Sequence, residues 1–111
     1  MKKPYSVLWT DVAENDLIGI IDYIAEEDPG AALKIMDKIR RRTNSLFNLP
    51  ERGRIVRELS EQGISGYHEL IVSPWRIIYK IEDNKVLVLS VLDSRRNVED
   101  ILLRRLIQIR C

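Results

Sequence analysis

Residues 67–91 read YHELIVSPWRIIYKIEDNKVLVLSV, and this stretch decides the fold. It contains three apolar runs, which are separated by Ser73-Pro74 and by Asp83-Asn84. Proline interrupts a strand, and Asp and Asn favour tight turns, so the runs are predicted to be three consecutive antiparallel strands: 67–72, 75–82 and 86–91. The last of these is apolar on both faces, which indicates an interior strand.

Two amphipathic helices precede these strands. The first is predicted to begin at Asp11, which forms a capping box with Glu14, and its apolar stripe is spaced by four, three and four residues: Ala13, Leu17, Ile20 and Ile24. Asp28-Pro29 predicts the start of a second helix, whose apolar face is Ala32, Ile35, Ile39 and Leu46. Because only a short break separates the two helices, they are expected to lie side by side and antiparallel.

The remaining segments complete the predicted order. Residues 5–9 form an aromatic and apolar run that predicts a strand, and 55–59 is a short, charged candidate strand. Residues 98–110 repeat apolar residues at helical spacing. The sequence therefore predicts a single α+β domain over residues 1–111: an N-terminal strand, an antiparallel two-helix hairpin packed on a curled, mostly antiparallel sheet of four or five strands, and a short C-terminal helix.

The composition argues against several classes of protein. The chain has 111 residues, with 18 Lys and Arg against 17 Asp and Glu, so its net charge indicates no polyanionic partner. Cys111 is the only cysteine, and without a Cys/His cluster we expect neither a metal nor a cofactor. No apolar run approaches the ~20 residues of a membrane span, and no signal peptide is recognisable, so we expect a cytoplasmic protein that does not enter a membrane.

Charge is unevenly distributed between the two predicted helices. Seven acids and no Lys or Arg lie between positions 11 and 28, whereas positions 34–42 hold five bases and one acid. This pattern predicts either facing charges across the hairpin or two solvated helix faces. Surface pairs of this kind contribute about 0–1 kcal/mol each, so they would influence helix pairing more than stability.

Four phrases of the sequence together resemble the RelE/ParE superfamily, the toxins of bacterial type II toxin–antitoxin systems (plasmid stabilisation proteins). They follow the family's order over nearly the whole chain: DLIGIIDYIAE at 16–26, LPERGR at 49–54, YHELIVSPWRIIYKI at 67–81 and VLSVLDSRR at 88–96. The third phrase holds Arg76 followed by Tyr79, an arrangement that the family places in this hairpin. The resemblance implies a RelE/ParE-like fold.

The resemblance also implies a growth-inhibiting toxin that a cognate antitoxin holds silent. RelE-like members cut messenger RNA on the ribosome, whereas ParE-like members poison DNA gyrase and are not nucleases, so a shared fold does not decide the activity. The nearly even net charge and the lack of Tyr or His after Tyr79 slightly favour gyrase inhibition. A metal-independent endoribonuclease and an inactive member that only binds antitoxin are the alternatives, which leaves open whether the chain is an enzyme.

Cleavage of RNA without a metal needs a base for the ribose 2′-hydroxyl, cations around the phosphate and an acid for the leaving oxygen. If the chain is a ribonuclease, the candidate catalytic residues are Arg76, Glu58, His68 and Arg95, with Glu69 as another candidate base. The candidates for binding a target or a phosphate are arginines: Arg54, Arg57, Arg76, Arg95 and Arg96. By resemblance, Arg76 matches an arginine that RNA-cleaving members place at the phosphate. Each candidate also has a structural interpretation. Arg76 would then lie on a solvated face of the sheet, and His68 would be a surface or hydrogen-bonded histidine. Glu58 and Glu69 would be salt-bridge partners of the arginines, and Arg95 and Arg96 would contact the antitoxin or cap the edge of the sheet.

The C-terminal helix has more apolar positions than one stripe requires. Its residues Ile101, Leu102, Leu106 and Ile109 are therefore predicted to bind a partner. An antitoxin helix in a groove, or an antitoxin strand added to a sheet edge, would use a known mode of recognition. The other expected partners are the target, either gyrase or the ribosome with its messenger RNA, and homodimerisation is left open.

Overall fold

The computed structural model describes residues 4–110, with the side chains of residues 4–107. Its elements follow in the order β1 (Ser6–Trp9), α1 (Asp11–Ala25), α2 (Pro29–Asn44), β2 (Arg54–Ile55), α3 (Arg57–Ser60), β3 (Tyr67–Val72), β4 (Trp75–Glu82), β5 (Lys85–Asp93) and α4 (Val98–Arg110). A short 3-10 turn, Ser45–Phe47, follows α2. Within residues 4–110, no helix combines the length and apolarity that crossing a membrane requires.

The five strands form one sheet in the order β1-β5-β4-β3-β2. β1 runs parallel to β5, and the other neighbours are antiparallel. The register shifts once, because Ile78 pairs with Ser90 while Tyr79 pairs with Val88, which leaves Leu89 as a bulge in β5. The predicted α+β fold, with its N-terminal strand, two helices, mostly antiparallel sheet and C-terminal helix, is confirmed.

One face of the sheet is covered by the α1–α2 hairpin. The buried residues of the two helices pack on inward side chains of β3, β4 and β5, and the core of this face comprises Ala13, Leu17, Ile39, Leu46, Leu70, Val72, Ile77, Tyr79, Val86, Val88 and Val91. Each Leu, Ile or Val removed from water there contributes about 1.5–3 kcal/mol before entropy is counted. Arg40 of α2 pairs with Glu14 of α1 at 2.9 Å and lies over the Trp9 ring, so the hairpin has a facing charge pair.

The opposite face of the sheet is covered by α3 and α4. Side chains alternate along β4, so Ile77 and Tyr79 point to the hairpin while Ile78 points to this second layer. The second core comprises Val56, Leu59, Ile78, Leu92, Val98 and Leu102. Helices on both faces explain why β4 and β5 are apolar on both sides.

Two local predictions were wrong. Thr10, not Asp11, caps α1, because its Oγ1 accepts a hydrogen bond from the backbone N–H of Ala13. Of the candidate strand 55–59, only Ile55 lies in a strand, at the end of β2 (Arg54–Ile55). The helix α3 begins two residues later, at Arg57. Val56 and Leu59 are both buried in the second core, and residues three apart share a face on a helix but not on a strand.

Candidate functional site

Arg76 lies at the centre of a partly buried cluster of ion pairs. Its Nη1 and Nη2 donate to the two carboxylate oxygens of Glu58 at 2.6 and 2.7 Å. Its Nε donates to Oε1 of Glu69 at 2.6 Å, and Nη2 lies 2.5 Å from the same oxygen. The guanidinium therefore donates hydrogen bonds to two carboxylates at once. This double carboxylate fork is the arrangement that best satisfies the hydrogen-bond donors of a buried arginine.

Strand register brings these charges together. Arg54 of β2 stands opposite Glu69 of β3, and its Nε donates to Glu69 Oε2 at 2.7 Å. Arg76 of β4 stands opposite Ile71, so Glu69 is its diagonal neighbour. The side chain of Glu69 is 2% exposed and that of Arg54 is 68% exposed. Glu69 thus sits between a buried arginine and a solvated one, while Glu58 reaches the cluster from α3.

The ion pairs fix the charge states of the cluster. The hydrogen bonds from Arg76 lower the pKa of Glu58 to about 2, against the smaller opposing effect of burial. The same bonds raise the pKa of Arg76 above its usual value. Both groups are therefore fully charged at neutral pH, and Glu58 has little affinity for a proton.

A cleft of about 510 Å³ opens over this cluster. The wall of this cleft includes two exposed arginines, Arg54 and Arg57, together with Ile55 and Ser60. Arg57 makes no ion pair within the described part of the chain. Three arginines and two glutamates give the cleft one net positive charge, so its chemistry suits an anion.

His68 lies away from the cluster. It neighbours Glu69 on β3 and therefore points to the opposite face of the sheet, where its ring stacks on that of Tyr79 with centroids 5.6 Å apart. Its Nδ1 is buried and has no hydrogen-bond partner among residues 4–107. The structure therefore brings together Arg76, Glu58 and Glu69 but not His68.

Arg95 and Arg96 form a separate group in the turn after β5. Arg95 donates from Nε and Nη2 to the carboxylate of Asp93 at 2.9 and 2.5 Å. These bonds, with one from the Arg95 backbone, lower the pKa of Asp93 to about 2. Both arginines line a groove beside α1 that also contains Tyr23 and Trp75. The five predicted arginines are thus divided between two surfaces, with Arg54, Arg57 and Arg76 on the first.

Beside the cluster, Tyr79 makes two hydrogen bonds to the backbone of the turn that precedes β2, and sequence reasoning did not identify them. The hydroxyl of buried Tyr79 accepts from the backbone N–H of Gly53 at 2.9 Å and donates to the carbonyl of Pro50 at 2.8 Å. A Cβ at position 53 would lie 2.5 Å from the backbone oxygen of Glu69. The sequence signal for these hydrogen bonds was the spacing Pro50-x-x-Gly53-Arg54 followed by Tyr79. The tyrosine hydroxyl of β4 binds the backbone of that turn and so holds the turn against the sheet.

Comparison with known proteins gives the family. A family model described as the ParE toxin of the type II toxin–antitoxin system, parDE, matches residues 7–98. The chain belongs to the ParE toxin family. Toxin RelE2 of Caulobacter vibrioides (strain ATCC 19089 / CIP 103742 / CB 15) is 32% identical over 94 residues, which cover 81% of this chain and 96% of that protein. The chain is therefore a type II toxin of the RelE/ParE superfamily.

Solved structures share the fold of this ParE-family toxin. The chromosomal ParDE system from P. aeruginosa contains a chain with a TM-score of 0.69, and the match covers 83% of this chain and 98% of that one. The toxin–antitoxin complex RelBE2 from Mycobacterium tuberculosis gives a TM-score of 0.59, with 84% and 94% covered. Both are 23% identical in sequence, so the likeness is one of fold.

The C-terminal helix of this ParE-family toxin packs on its own sheet. Leu102 is buried in the second core, and Ile101 and Leu106 are half-buried against it. Arg105 donates to both carboxylate oxygens of Asp16 in α1, at 2.8 and 3.0 Å, and to Ser90 Oγ at 2.8 Å. The side chain of Ile109 lies outside the described residues.

Proposed function

We propose that this toxin arrests growth by inhibiting DNA gyrase and that it does not cut messenger RNA. The observation that carries the proposal is the double carboxylate fork on Arg76. A ribonuclease would need this guanidinium to face a phosphate. Here its hydrogen bonds go to Glu58 and Glu69 instead.

The energetics of the cluster support the same conclusion. Removing one partner from a buried ion pair costs about 3–5 kcal/mol, so a phosphate that drew Arg76 away from the 2%-exposed Glu69 would have to offset a similar amount. A general base works best with a pKa near the operating pH, and the pKa of Glu58 is about 2. His68, the single histidine of the chain, points to the other face of the sheet and cannot reach the cluster.

The alternative function is a ribosome-dependent endoribonuclease, and one observation favours it. Arg54 and Arg57 face the cleft above the cluster, where a phosphate would meet two solvated cations beside Arg76. A nuclease reaction there would use Glu58 as the base only after its hydrogen bonds to Arg76 were broken. Arg95, which pairs with Asp93 on the other surface, would take no part.

We also infer that a cognate antitoxin holds the toxin silent in the cytoplasm. Membership of a toxin–antitoxin family supports this partner, and so do the two matched structures, which are described as a ParDE system and a RelBE2 toxin–antitoxin complex. A second copy of the chain remains a candidate partner, for which a molecular-mass measurement of the purified toxin is the test.

Pulse expression of the toxin without antitoxin tests the target. Within minutes, gyrase inhibition predicts DNA-cleavage complexes that contain gyrase, together with messenger RNA that carries no new 5′ ends. With purified components, the toxin should block supercoiling by gyrase. New 5′ ends in phase with codons would instead establish the ribonuclease. If neither the gyrase complexes nor the new 5′ ends form, the chain is an inactive member of the family.

The variant Arg57→Ala sharpens this test. Arg57 is exposed and makes no ion pair in the described part of the chain, so the fold should tolerate its loss. A nuclease that uses the cleft should lose about tenfold or more of its RNA cleavage, the effect of one phosphate-binding hydrogen-bond donor. The matched control is Arg52→Ala, an exposed arginine that does not line the cleft.

A further inference from the structure

The outer face of the α1–α2 hairpin, which is turned away from the sheet, carries apolar side chains where the two helices meet. Glu14 and Arg40 pair across this junction, and both are half-buried. Ile18 follows Glu14 by four residues, so it lies one turn further along the same junction. Met36 precedes Arg40 by four residues and lies at the same level on α2, with Leu33 one turn beyond it. We call Ile18, Leu33 and Met36 the hairpin seam.

The hairpin seam is open to solvent within the monomer. Ile18 is 52% exposed, Leu33 is 67% exposed, and Met36 is exposed as well. Single exposed apolar side chains are ordinary on a protein surface, whereas a contiguous group on two neighbouring helices indicates an interaction surface. The apolar group alone does not identify what covers it, but the charges beside it do.

The two helices flank the hairpin seam with opposite charges. On α1, Asp11 and Asp22 lie seven residues before and four after Ile18, so they share its stripe; both are exposed and make no ion pair within residues 4–107. On α2, Lys34 is exposed and also has no ion-pair partner among these residues, and exposed Arg41 pairs with an acid of its own helix. A partner must therefore place basic groups over α1 and acidic groups over α2.

A second copy of this chain meets both requirements. The two helices run antiparallel, so a two-fold axis parallel to them places α1 of each protomer over α2 of the other. Residues at the same level of the hairpin then face each other: Asp22 of one protomer lies near Lys34 of its partner, and Asp11 lies near Arg41. The apolar side chains of both copies meet around the axis, as in a four-helix bundle. A two-fold axis across the helices would instead place acidic α1 on acidic α1.

We propose that the toxin forms a symmetric homodimer through the hairpin seam, with α1 of each protomer packed on α2 of the other. The dimer goes beyond the proposed inhibition of gyrase and does not depend on it, because none of the seam residues lines the cleft over Arg76.

The experiment measures the mass of the purified full-length toxin by sedimentation over a range of concentrations. The wild type should change from monomer to dimer with a dissociation constant on the order of 10 µM. Leu33→Glu should weaken the dimer about a hundredfold, because the symmetry places two carboxylates in its apolar centre. The matched control is Leu49→Glu, at a 53% exposed leucine outside the hairpin, which should dimerise as the wild type does. Both variants replace an exposed side chain, so both should fold, which circular dichroism checks.

A second arm tests the charges. Asp22→Lys and Lys34→Glu should each weaken the dimer about tenfold, because each places like charges opposite one another at two symmetric points. The double variant exchanges both signs and should dimerise as the wild type does. An equimolar mixture of the two single variants should also dimerise, because the new lysine of one protomer then faces the new glutamate of the other. Lys85→Glu, an exposed lysine at the start of β5, should have no effect.

The mixture isolates contacts between protomers, since it restores no pairing within a single chain. A wild type that stays monomeric at all concentrations would overturn the homodimer and leave the proposed gyrase inhibition standing. A dimer that persists in Leu33→Glu, or single-charge variants that fail to combine, would overturn the hairpin seam as its interface. A monomeric wild type whose antitoxin binding is lost in Leu33→Glu would assign the seam to the antitoxin and equally overturn the proposal.

Discussion

Among the five glycines, Gly53 has the least room for a side chain. Replacing it with alanine would put a Cβ 2.5 Å from the Glu69 carbonyl oxygen and 2.6 Å from the Tyr79 hydroxyl. We expect Gly53→Ala to lower the free energy of unfolding by about 3 kcal/mol or more, because the contact is with backbone that cannot shift cheaply. Urea denaturation measures this. Gly30→Ala is the matched control, since its Cβ would meet only an ordinary contact at 3.5 Å, and an equal loss in both variants would contradict the explanation.

The pKa of Glu58 makes a prediction about acid stability. Its folded value of about 2 lies below the ordinary value of 4.5, so it stabilises the fold above pH 4.5, and this contribution is lost as the pH falls toward 2. Glu58→Gln should be less stable than the wild type at pH 7 by at most about 3 kcal/mol, and the difference should shrink between pH 5 and 2. Unfolding curves at several pH values test this. A difference that is constant with pH would show that the carboxylate charge is not its source.

At the scale of elements, Arg105 is expected to stabilise the packing of α4 on α1 and β5. It joins α4 to α1 through Asp16 and to β5 through Ser90. Among the side chains that the structure describes, the adjacent Arg104 bonds only to Asp100 of its own helix. Arg105→Ala should cost about 2–3 kcal/mol and raise amide hydrogen exchange in α4, because it leaves a half-buried carboxylate short of a partner. Arg104→Ala should cost less than about 0.5 kcal/mol. Similar exchange rates in the two variants would rule out this role for Arg105.

The elements that the sequence predicted are those whose signals are local. Ser73-Pro74 and Asp83-Asn84 mark the ends of β3 and β4, and the Asp28-Pro29 cap marks the start of α2. α3 was missed because four residues are too few to show a helical period, and its burial depends on the distant Ile78 and Leu92.

The candidate site was only partly predictable for a related reason. Sequence chemistry identified Arg76, Glu58 and Glu69, and it also proposed His68. Which of these residues meet depends on the register of three strands and on the face that each side chain takes. A side-chain period of two puts His68 and Glu69 on opposite faces, which a strand prediction implies but a list of reactive residues does not.

At the scale of the whole molecule, the ion cluster occupies a place where the second layer could have continued as apolar core. Arg76 and Ile78 point from β4 to the same side of the sheet, toward α3 and α4. Buried ion pairs are often no more stabilising than apolar residues of similar size, so their presence alone does not indicate how stable the fold is. What the cluster supplies is a specific attachment of α3 to the sheet through Glu58.

Replacing the whole cluster distinguishes a structural role from a catalytic one. In the triple variant Glu58→Met, Glu69→Leu and Arg76→Met, no buried charge is left unpaired, so the free energy of unfolding should stay within about 2 kcal/mol of the wild type. Arg76→Met alone should cost about 3–5 kcal/mol, because Glu69 then stays buried with only the exposed Arg54 beside it. If gyrase is the target, the folded triple variant should still arrest growth, as measured by colony counts after induction. A triple variant that melts like the wild type but is harmless would mean that the charges act on the target, which is what a ribonuclease requires.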